Sequence, residues 1–515
     1  MLKTAESGSP EEWADRTPDA VAVRFGNRSL TYADWNERAN RVAEGLANVG
    51  FSNGDRIGMR FRLGFMWFVV QRACQKLGVV QVTVNYRLTA EEALYILKDS
   101  GAKGLACDDD DPEAWLGLDI GVLLTEGAQP SRDWLRFEDL LADNRLVTRF
   151  GPARPQMVIY TSGTTGNPKG VPPADPPASL KEQQRLDSYL RSIARRPQRP
   201  EGRRVVMLSL PVHHGAGPLA ATVATETGGT TVLLSPFDAE EALRLIEEHK
   251  VNMWTAVPTM LQRIRSLPEE TLSKYDVSSM RTLVTGAAPV GSDLASWAVQ
   301  HFGPVLWETY GLSEANMIGA VSPEDKIKKP GSSAKIHDGV QVSIIDSDWK
   351  ELPCGEIGEI AVNTPLVLNN YIGKPPLDTE TLRDGFYRTG DVGYLDEDGY
   401  LFITDRMKDM IIAGGVNIYP AEIEKVLAAH DGVLSCAVIG IPHEEFGEQP
   451  LAFVVIAEGA SVTEEELRVF VEDRLARYKH PRQYEFVAGL PLNPTGKVLK
   501  NKLREKYWIG HERNI

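Results

Sequence analysis

Between Leu30 and Leu97 short apolar runs alternate with longer segments of helical period, and no other feature of the chain restricts its fold as much. The stretch SLTYADWNERANRVAEGLANVGFSNGDRIGM gives a strand, a capped helix, a loop stopped by glycine and a second strand. The unit recurs, with FMWFVVQRACQKLG as helix, VVQVTVN as strand, and TAEEALYILKDSGAKGLAC as capped helix and strand. Strands separated by helices of this length pair in parallel across helical crossovers, so the fold class is α/β. The same grammar returns at AEEALRLIEEHKVNMWTAVP and SSMRTLVTGAAPV.

A chain of 515 residues is too long for one compact core. After Pro330 the style changes: VQVSIID, GEIAV, YRTGDVGYL and GYLFIT are short strands broken by Gly, Asp and Pro. They predict a β-rich subdomain over about 330–404, within a large N-terminal domain spanning 1–404. Beyond Asp405, AEIEKVLAAH, VLSCAVIGIP, PLAFVVIAE and TEEELRVFVEDRLARY predict a small α+β domain over 405–515, with the boundary at 405–408. The segment Val171–Arg204, rich in Pro and Arg, is expected to be a surface excursion. It contains an amphipathic stretch, SLKEQQRLDSYLRSIARR, which Pro172, Pro173, Pro176 and Pro177 prevent from starting earlier. The acidic run Asp108–Asp111 reads as a solvated loop rather than an ion site.

The net charge of -15 argues against nucleic acid or an anionic membrane as partner. Cys74, Cys107, Cys354 and Cys436 form no C-x-x-C pair, so neither a disulfide framework nor a zinc site is expected. The first residues lack the apolar run of a signal peptide, and the apolar stretch near Phe65–Val70 is far short of the ~20 residues that span a bilayer. The C-terminal HERNI is no peroxisomal address, so a cytoplasmic protein is expected.

Chemistry enters with MVIYTSGTTGNPKGV, Met157 to Val171. A short apolar strand leads into glycines and hydroxyls followed by one lysine. Glycines let backbone N–H groups approach phosphate oxygens, hydroxyls add donors, and Lys169 adds positive charge. No Gly-Lys-Ser/Thr occurs there, so this is not the G-x-x-x-x-G-K-[ST] loop. The complete string resembles the phosphate loop of the adenylate-forming superfamily, which comprises acyl- and aryl-CoA synthetases, adenylation domains and beetle luciferases. The resemblance assigns Thr161, Ser162, Gly163, Thr164, Thr165 and Gly166 to nucleotide binding.

Further motifs follow in the family's order. SLPVHHGAG (Ser209–Gly217) resembles the acyl-pocket motif and puts His214 at a gating position between acyl and thiol sites. TGAAPV resembles the turn against adenine, with Gly286, Ala287 and Ala288. WETYGLSEA resembles the aromatic-Gly-x-hydroxyl-Glu signature, in which Thr309, Tyr310 and Gly311 line the nucleotide, Ser313 contacts the α-phosphate and Glu314 holds Mg2+. FYRTGDVGYL resembles the ribose motif, with Asp391 accepting from the ribose hydroxyls. In TDRMKDMIIAGGVNIYPAEIE, Arg406 would reach phosphate or ribose, Lys408 would be the hinge, and Gly414 and Gly415 would line a pantetheine tunnel. LNPTGKVLKNKL carries Lys497, which matches the lysine that neutralises charge during adenylate formation.

The resemblance, spanning nearly the whole chain, implies a mobile C-terminal domain, ATP and Mg2+ as requirements, a carboxylic acid as substrate and coenzyme A as acceptor. Homodimers are common in the family. A short tail after Lys497 leaves no fused carrier domain, so a diffusible acceptor is expected. The expected pocket walls, around Val212–Gly217, Trp254–Pro258, Thr285–Ala288 and Thr309–Leu312, are mostly small or apolar and suit a bulky hydrophobic acid. One departure stands out. Relatives usually leave the phosphate loop through a hydroxyl-His pair that starts a helix, whereas here Gly170-Val171 runs into PPADPPASLKEQQ. Three other outcomes therefore stay open: thioester transfer from a supplied acyl-AMP alone, loading of a separate carrier protein, and a non-catalytic binding protein of the same fold.

Overall fold

The computed structural model describes residues 8–108, 115, 122–125, 134–137, 139, 156–161, 167–286, 288, 290–413, 416–492 and 497–509. Three sheets organise them. The first has the strand order Trp134–Arg136, Val122–Thr125, Gly104–Cys107, Arg56–Arg60, Val80–Thr83, Met157–Thr161, Lys169–Val171. Its neighbours are parallel except the last two strands, which form a hairpin with Tyr160 opposite Gly170 and Thr161 opposite Lys169. The helix Phe65–Leu77 is buried along almost its whole circumference, as its unbroken apolar run requires. It packs with Trp35 and Ile57 in the largest core cluster, where Trp35 Nε1 donates to the Phe68 carbonyl at 2.9 Å.

The second sheet changes character part-way across. Val21–Phe25, Thr230–Leu233, Val205–Leu208, Met253–Ala256, Thr282–Thr285 and Leu306–Leu312 run parallel. At Leu306–Leu312 the chain turns back through Ser313, Glu314 and Ala315 into Asn316–Val321. From there the sheet continues antiparallel through Ala334–Ile336, Tyr400–Arg406, Phe386–Leu395, Gly358–Asn363 and Gln341–Ile345. The β-rich region after residue 330 is thus hydrogen-bonded into one path with the parallel strands. A third sheet, built from Ile411–Ala413, Val416–Ile418, Val433–His443, Gly447–Ile456 and Gln483–Phe486, has its own core with the helices Pro420–Ala428 and Glu464–Glu472.

The segment Val171–Arg204 lies at the surface, as expected, but it is anchored there. Its helix, Leu180–Arg195, starts after the prolines at the N-cap Ser179 and docks one face on the antiparallel strands. Tyr189 is fully buried and donates to the Met317 carbonyl at 2.9 Å, while Arg185 donates to the carbonyls of Gly339 and Asn363. Helical spacing brings Arg185, Tyr189 and Ser192 onto that face, which the surrounding polar residues hide in the sequence. Tyr189→Ala is therefore expected to cost about 3–5 kcal/mol of stability and Tyr189→Phe about 1 kcal/mol, measured by denaturant unfolding. Equal, negligible losses in both would mean that the face is not packed. Trp254, expected to wall the pocket, lies instead in the core. It is fully buried, stacked on Phe237, with Nε1 donating to Ser209 Oγ at 3.0 Å. Strand alternation sends it to the helix-covered face of the sheet.

The four cysteines form no disulfide. Among the described residues no helix is long and apolar enough to cross a membrane. Asp108 accepts from the Arg62 backbone N–H; Asp109–Asp111 lie outside the described residues.

Candidate active site

The site grows out of two hairpins and one bulged strand. The first hairpin, Met157–Thr161 with Lys169–Val171, flanks the glycine- and hydroxyl-rich stretch; Ser162, Gly163, Thr164, Thr165 and Gly166 lie outside the described residues, as do Ala287, Gly414 and Gly415. The strands of this hairpin touch closely. A Cβ on Gly170 would come within 2.9 Å of the Tyr160 ring, whose hydroxyl donates to Asp99 Oδ2 at 2.8 Å. Lys169 is exposed on one strand, its Nζ 5.2 Å from the centre of the Tyr371 ring.

The second hairpin carries Ser313 and Glu314 in its turn, where the large sheet passes from parallel to antiparallel. The crevice at such a reversal is where open α/β sheets bind ligands. Glu314 is half-buried, and the Tyr371 hydroxyl donates to its Oε1 at 3.2 Å. Among the described residues no three His, Cys, Asp or Glu side chains converge into a metal cage. A single carboxylate with one oxygen left over suits Mg2+, which keeps waters and binds through one or two carboxylates plus substrate phosphates. Upstream in the same strand, Thr309 Oγ1 donates to the Thr285 carbonyl at 3.1 Å. Gly286 lies so close that a Cβ there would meet Thr309 Oγ1 at 2.6 Å, and Gly311 is pressed equally hard against the Asn316 carbonyl. Ala288 is half-buried beyond that turn.

The bulged strand is Phe386–Leu395. Gly390, at φ 70°, turns the backbone so that its N–H donates to Glu359 Oε1 at 3.2 Å, while the Thr389 hydroxyl donates to the Ile360 carbonyl. Asp391 is thereby aimed at Tyr310, whose hydroxyl donates to Oδ2 at 2.7 Å, and at Arg406, whose Nε lies 3.0 Å from Oδ1. Asp391 is only 6% exposed. Burial, then the Asp391 charge, pushes the Tyr310 hydroxyl well above its ordinary pKa, so it stays a donor. Tyr387 joins the two halves electrostatically: the charges of both Glu314 and Asp391 act on it, and Tyr371 is among its neighbours.

Lys497 arrives from the far end of the chain. Burial lowers its ammonium pKa to about 8, helped by Arg406 and Lys408 and opposed by Asp391 and Asp409. Lys408 is exposed overall, yet partial desolvation of its ammonium, and then the charge of Arg406, lower its pKa. The neighbouring Asp405 accepts from the Ala421 N–H at the start of the helix Pro420–Ala428. Asp409 pairs with Arg504 at 2.8 Å, and Lys500 with Glu424 at 2.7 Å. The geometry thus brings Lys169 and Glu314 together through Tyr371, and Tyr310, Asp391, Arg406 and Lys497 into a second set.

His214 joins neither set. Its ring lies 4.5 Å from that of His213, and burial lowers their pKa values to about 4 and about 3. Both rings are therefore neutral at pH 7. Gly215 abuts this wall to the first hairpin, since a Cβ on it would be 3.1 Å from Ile159 Cδ1. His213 is 4% exposed, and among the described residues neither of its ring nitrogens has a hydrogen-bond partner. Its folded pKa lies below the ordinary 6.5, so the unfolded chain takes up the proton first. Stability from this ring is present above about pH 6.5 and is lost as pH falls towards about 3. His213→Phe is expected to gain about 2 kcal/mol over the native chain at pH 5 relative to pH 7, read from denaturation at both values. A gain independent of pH would refute this.

Sequence reasoning missed Tyr371, Tyr387, Glu359 and Asp99. The only available signal was the density of tyrosines and acids near YIGKP and GFYRTGD, which motif reading passes over.

Comparison with known proteins gives the family. The model of the AMP-binding enzyme family matches residues 10–372, and that of the AMP-binding enzyme C-terminal domain matches 422–497. A fatty acid–[acyl-carrier-protein] ligase of Streptomyces coeruleorubidus is 33% identical, over 98% of this chain and 96% of that protein. Feruloyl-CoA synthase of an Amycolatopsis species is 35% identical, over 97% and 98%. Among solved structures, o-succinylbenzoate CoA synthetase of Bacillus subtilis, in complex with its acyl-adenylate intermediate, superposes with a TM-score of 0.79 at 29% identity, covering 96% of this chain and 97% of that one. Matches of this extent mean that the chain belongs to the AMP-binding enzyme family and is an enzyme of the adenylate-forming superfamily.

Proposed function

We propose that the protein activates a bulky hydrophobic carboxylic acid with ATP and transfers the acyl group from the resulting acyl-AMP to the thiol of coenzyme A. The observation that carries this reading is the position of Lys497, within electrostatic reach of Asp391 and Arg406 although it comes from the opposite end of the chain. A carboxylate attacking the α-phosphorus of ATP meets anion repulsion, so the task of the site is to stabilise negative charge rather than to move protons. Lys497 and Arg406 supply positive charge beside the ribose anchor Asp391, and Lys169 supplies it at the phosphate-loop hairpin. Mg2+ bound at Glu314 would neutralise phosphate charge. Tyr310 holds Asp391 with its side chain aimed into the site, as the acceptor for the ribose hydroxyls.

For the second step, residues 405–515 are taken as the unit that turns about Lys408. The turn withdraws Lys497 and brings up Gly414 and Gly415 to line the thiol's path. The neutral His214 and the small residues Gly215, Ala216 and Gly217 support a hydrophobic acyl group, since they place no fixed charge on that wall. A second reading, transfer to a carrier protein, is supported by the carrier-protein ligase among the relatives. Cytoplasmic location is part of the proposal.

The test is pyrophosphate release with ATP, Mg2+ and a panel of fatty and aromatic acids, followed by thioester formation with either CoA or a phosphopantetheinyl carrier protein. Acid-dependent release and a CoA thioester are expected. A thioester on the carrier protein alone selects the second reading, and no turnover on any acid overturns both.

A further inference from the structure

We infer that Tyr371 is a positioning residue that couples Lys169 to Glu314, seating the lysine on its ring and fixing the carboxylate with its hydroxyl. The inference rests on the roles proposed above for those two residues. Its basis is a strap. The Ile372 N–H donates to the Gly170 carbonyl at 2.8 Å, and the Leu368 N–H donates to the Glu314 carbonyl at 2.7 Å. Residues 368–372 therefore tie the phosphate-loop hairpin to the hairpin bearing the carboxylate. Tyr371 projects between them, its ring centre 5.2 Å from Lys169 Nζ and its hydroxyl 3.2 Å from Glu314 Oε1. Tyr387, 8% exposed, is a neighbour that acts on the Tyr371 hydroxyl.

The choice of a neutral side chain has a physical reason. An ammonium and a carboxylate free to meet across one side chain would pair directly, cancelling the charges that ATP and Mg2+ need. Among the described residues no ion pair joins Lys169 to Glu314. A tyrosine face holds a cation without neutralising it. A phenol hydroxyl orients a carboxylate and leaves its charge and second oxygen available, as outer hydrogen-bond partners do for metal ligands.

The test measures ATP binding by titration calorimetry, once with Mg2+ and once with EDTA, so that no turnover is involved. The native protein is expected to gain affinity from the metal, and Glu314→Gln to lose that gain. Tyr371→Phe keeps the ring and removes the hydroxyl. It should lose about tenfold of the metal-dependent gain while binding metal-free ATP unchanged. Tyr371→Leu should weaken metal-free binding as well, through Lys169. Tyr387→Phe, which preserves both contacts of Tyr371, should show a smaller loss of the metal-dependent gain, and it carries the test if Tyr371→Phe does not fold. A full metal-dependent gain in Tyr371→Phe and Tyr387→Phe, beside its loss in Glu314→Gln, overturns the inference alone. An undiminished gain in Glu314→Gln overturns the role given to that carboxylate, and the inference with it.

Discussion

Lys497→Ala is expected to lower acyl-adenylate formation by at least about 10²–10³-fold while leaving thioester formation from synthetic acyl-AMP near the native rate. The magnitude is that of removing one preorganised charge-stabilising group from a water-poor site. The split follows from the lysine's location. Burial first, and then the charges of Arg406 and Lys408, depress its pKa to about 8. A cation kept beside other cations discharges part of its strain only when phosphate negative charge arrives, so its contribution is greatest while pyrophosphate is being expelled. In the thiol step that charge has left. Both half-reactions are measured separately, by acid-dependent pyrophosphate release and by CoA consumption from added acyl-AMP. Equal losses in the two, or none in the first, would remove Lys497 from the role proposed.

Asp391→Asn is the second large effect. Asn keeps the volume and an oxygen for the Tyr310 hydroxyl but loses the charge facing Arg406 and the ability to accept from both ribose hydroxyls. Hydrogen bonds to a charged group are each worth about 1.5–3 kcal/mol, so the Kd for ATP should rise by about 10–100-fold. The native protein should also bind 2′-deoxy-ATP more weakly than ATP, and the variant should lose much of that preference. An unchanged preference would mean that the carboxylate points elsewhere in the complex.

How much of this was legible in the sequence depended on whether the residues concerned are contiguous. Gly170, Ser313, Glu314, Asp391 and Lys497 each sit in a string whose glycines, hydroxyls and charges carry information together. The alternation of strand and helix exposed the parallel sheets for the same reason, because a period is a local property. Contacts between distant segments left no such trace. Tyr310 meets Asp391 across 81 residues, Tyr371 meets Glu314 across 57, and Tyr189 meets Met317 across 128. Each tyrosine alone is consistent with a core or a surface position. Trp254 was misread because a pocket was inferred from a stretch of chain, whereas the pleat sends successive residues to opposite faces. The helix Leu180–Arg195 was recognisable, but its docking face was not, since that face is largely polar and fastened by hydrogen bonds.

The hairpin of Ser313 and Glu314 and the strand of Asp391 belong to one unbroken hydrogen-bonded ladder. If they grip the two ends of the nucleotide as proposed, sugar and phosphate are held by a single stiff plate. Spent AMP would then depart in one piece or stay, and Lys497, on the unit proposed to turn, would be a tether that can be slackened beforehand.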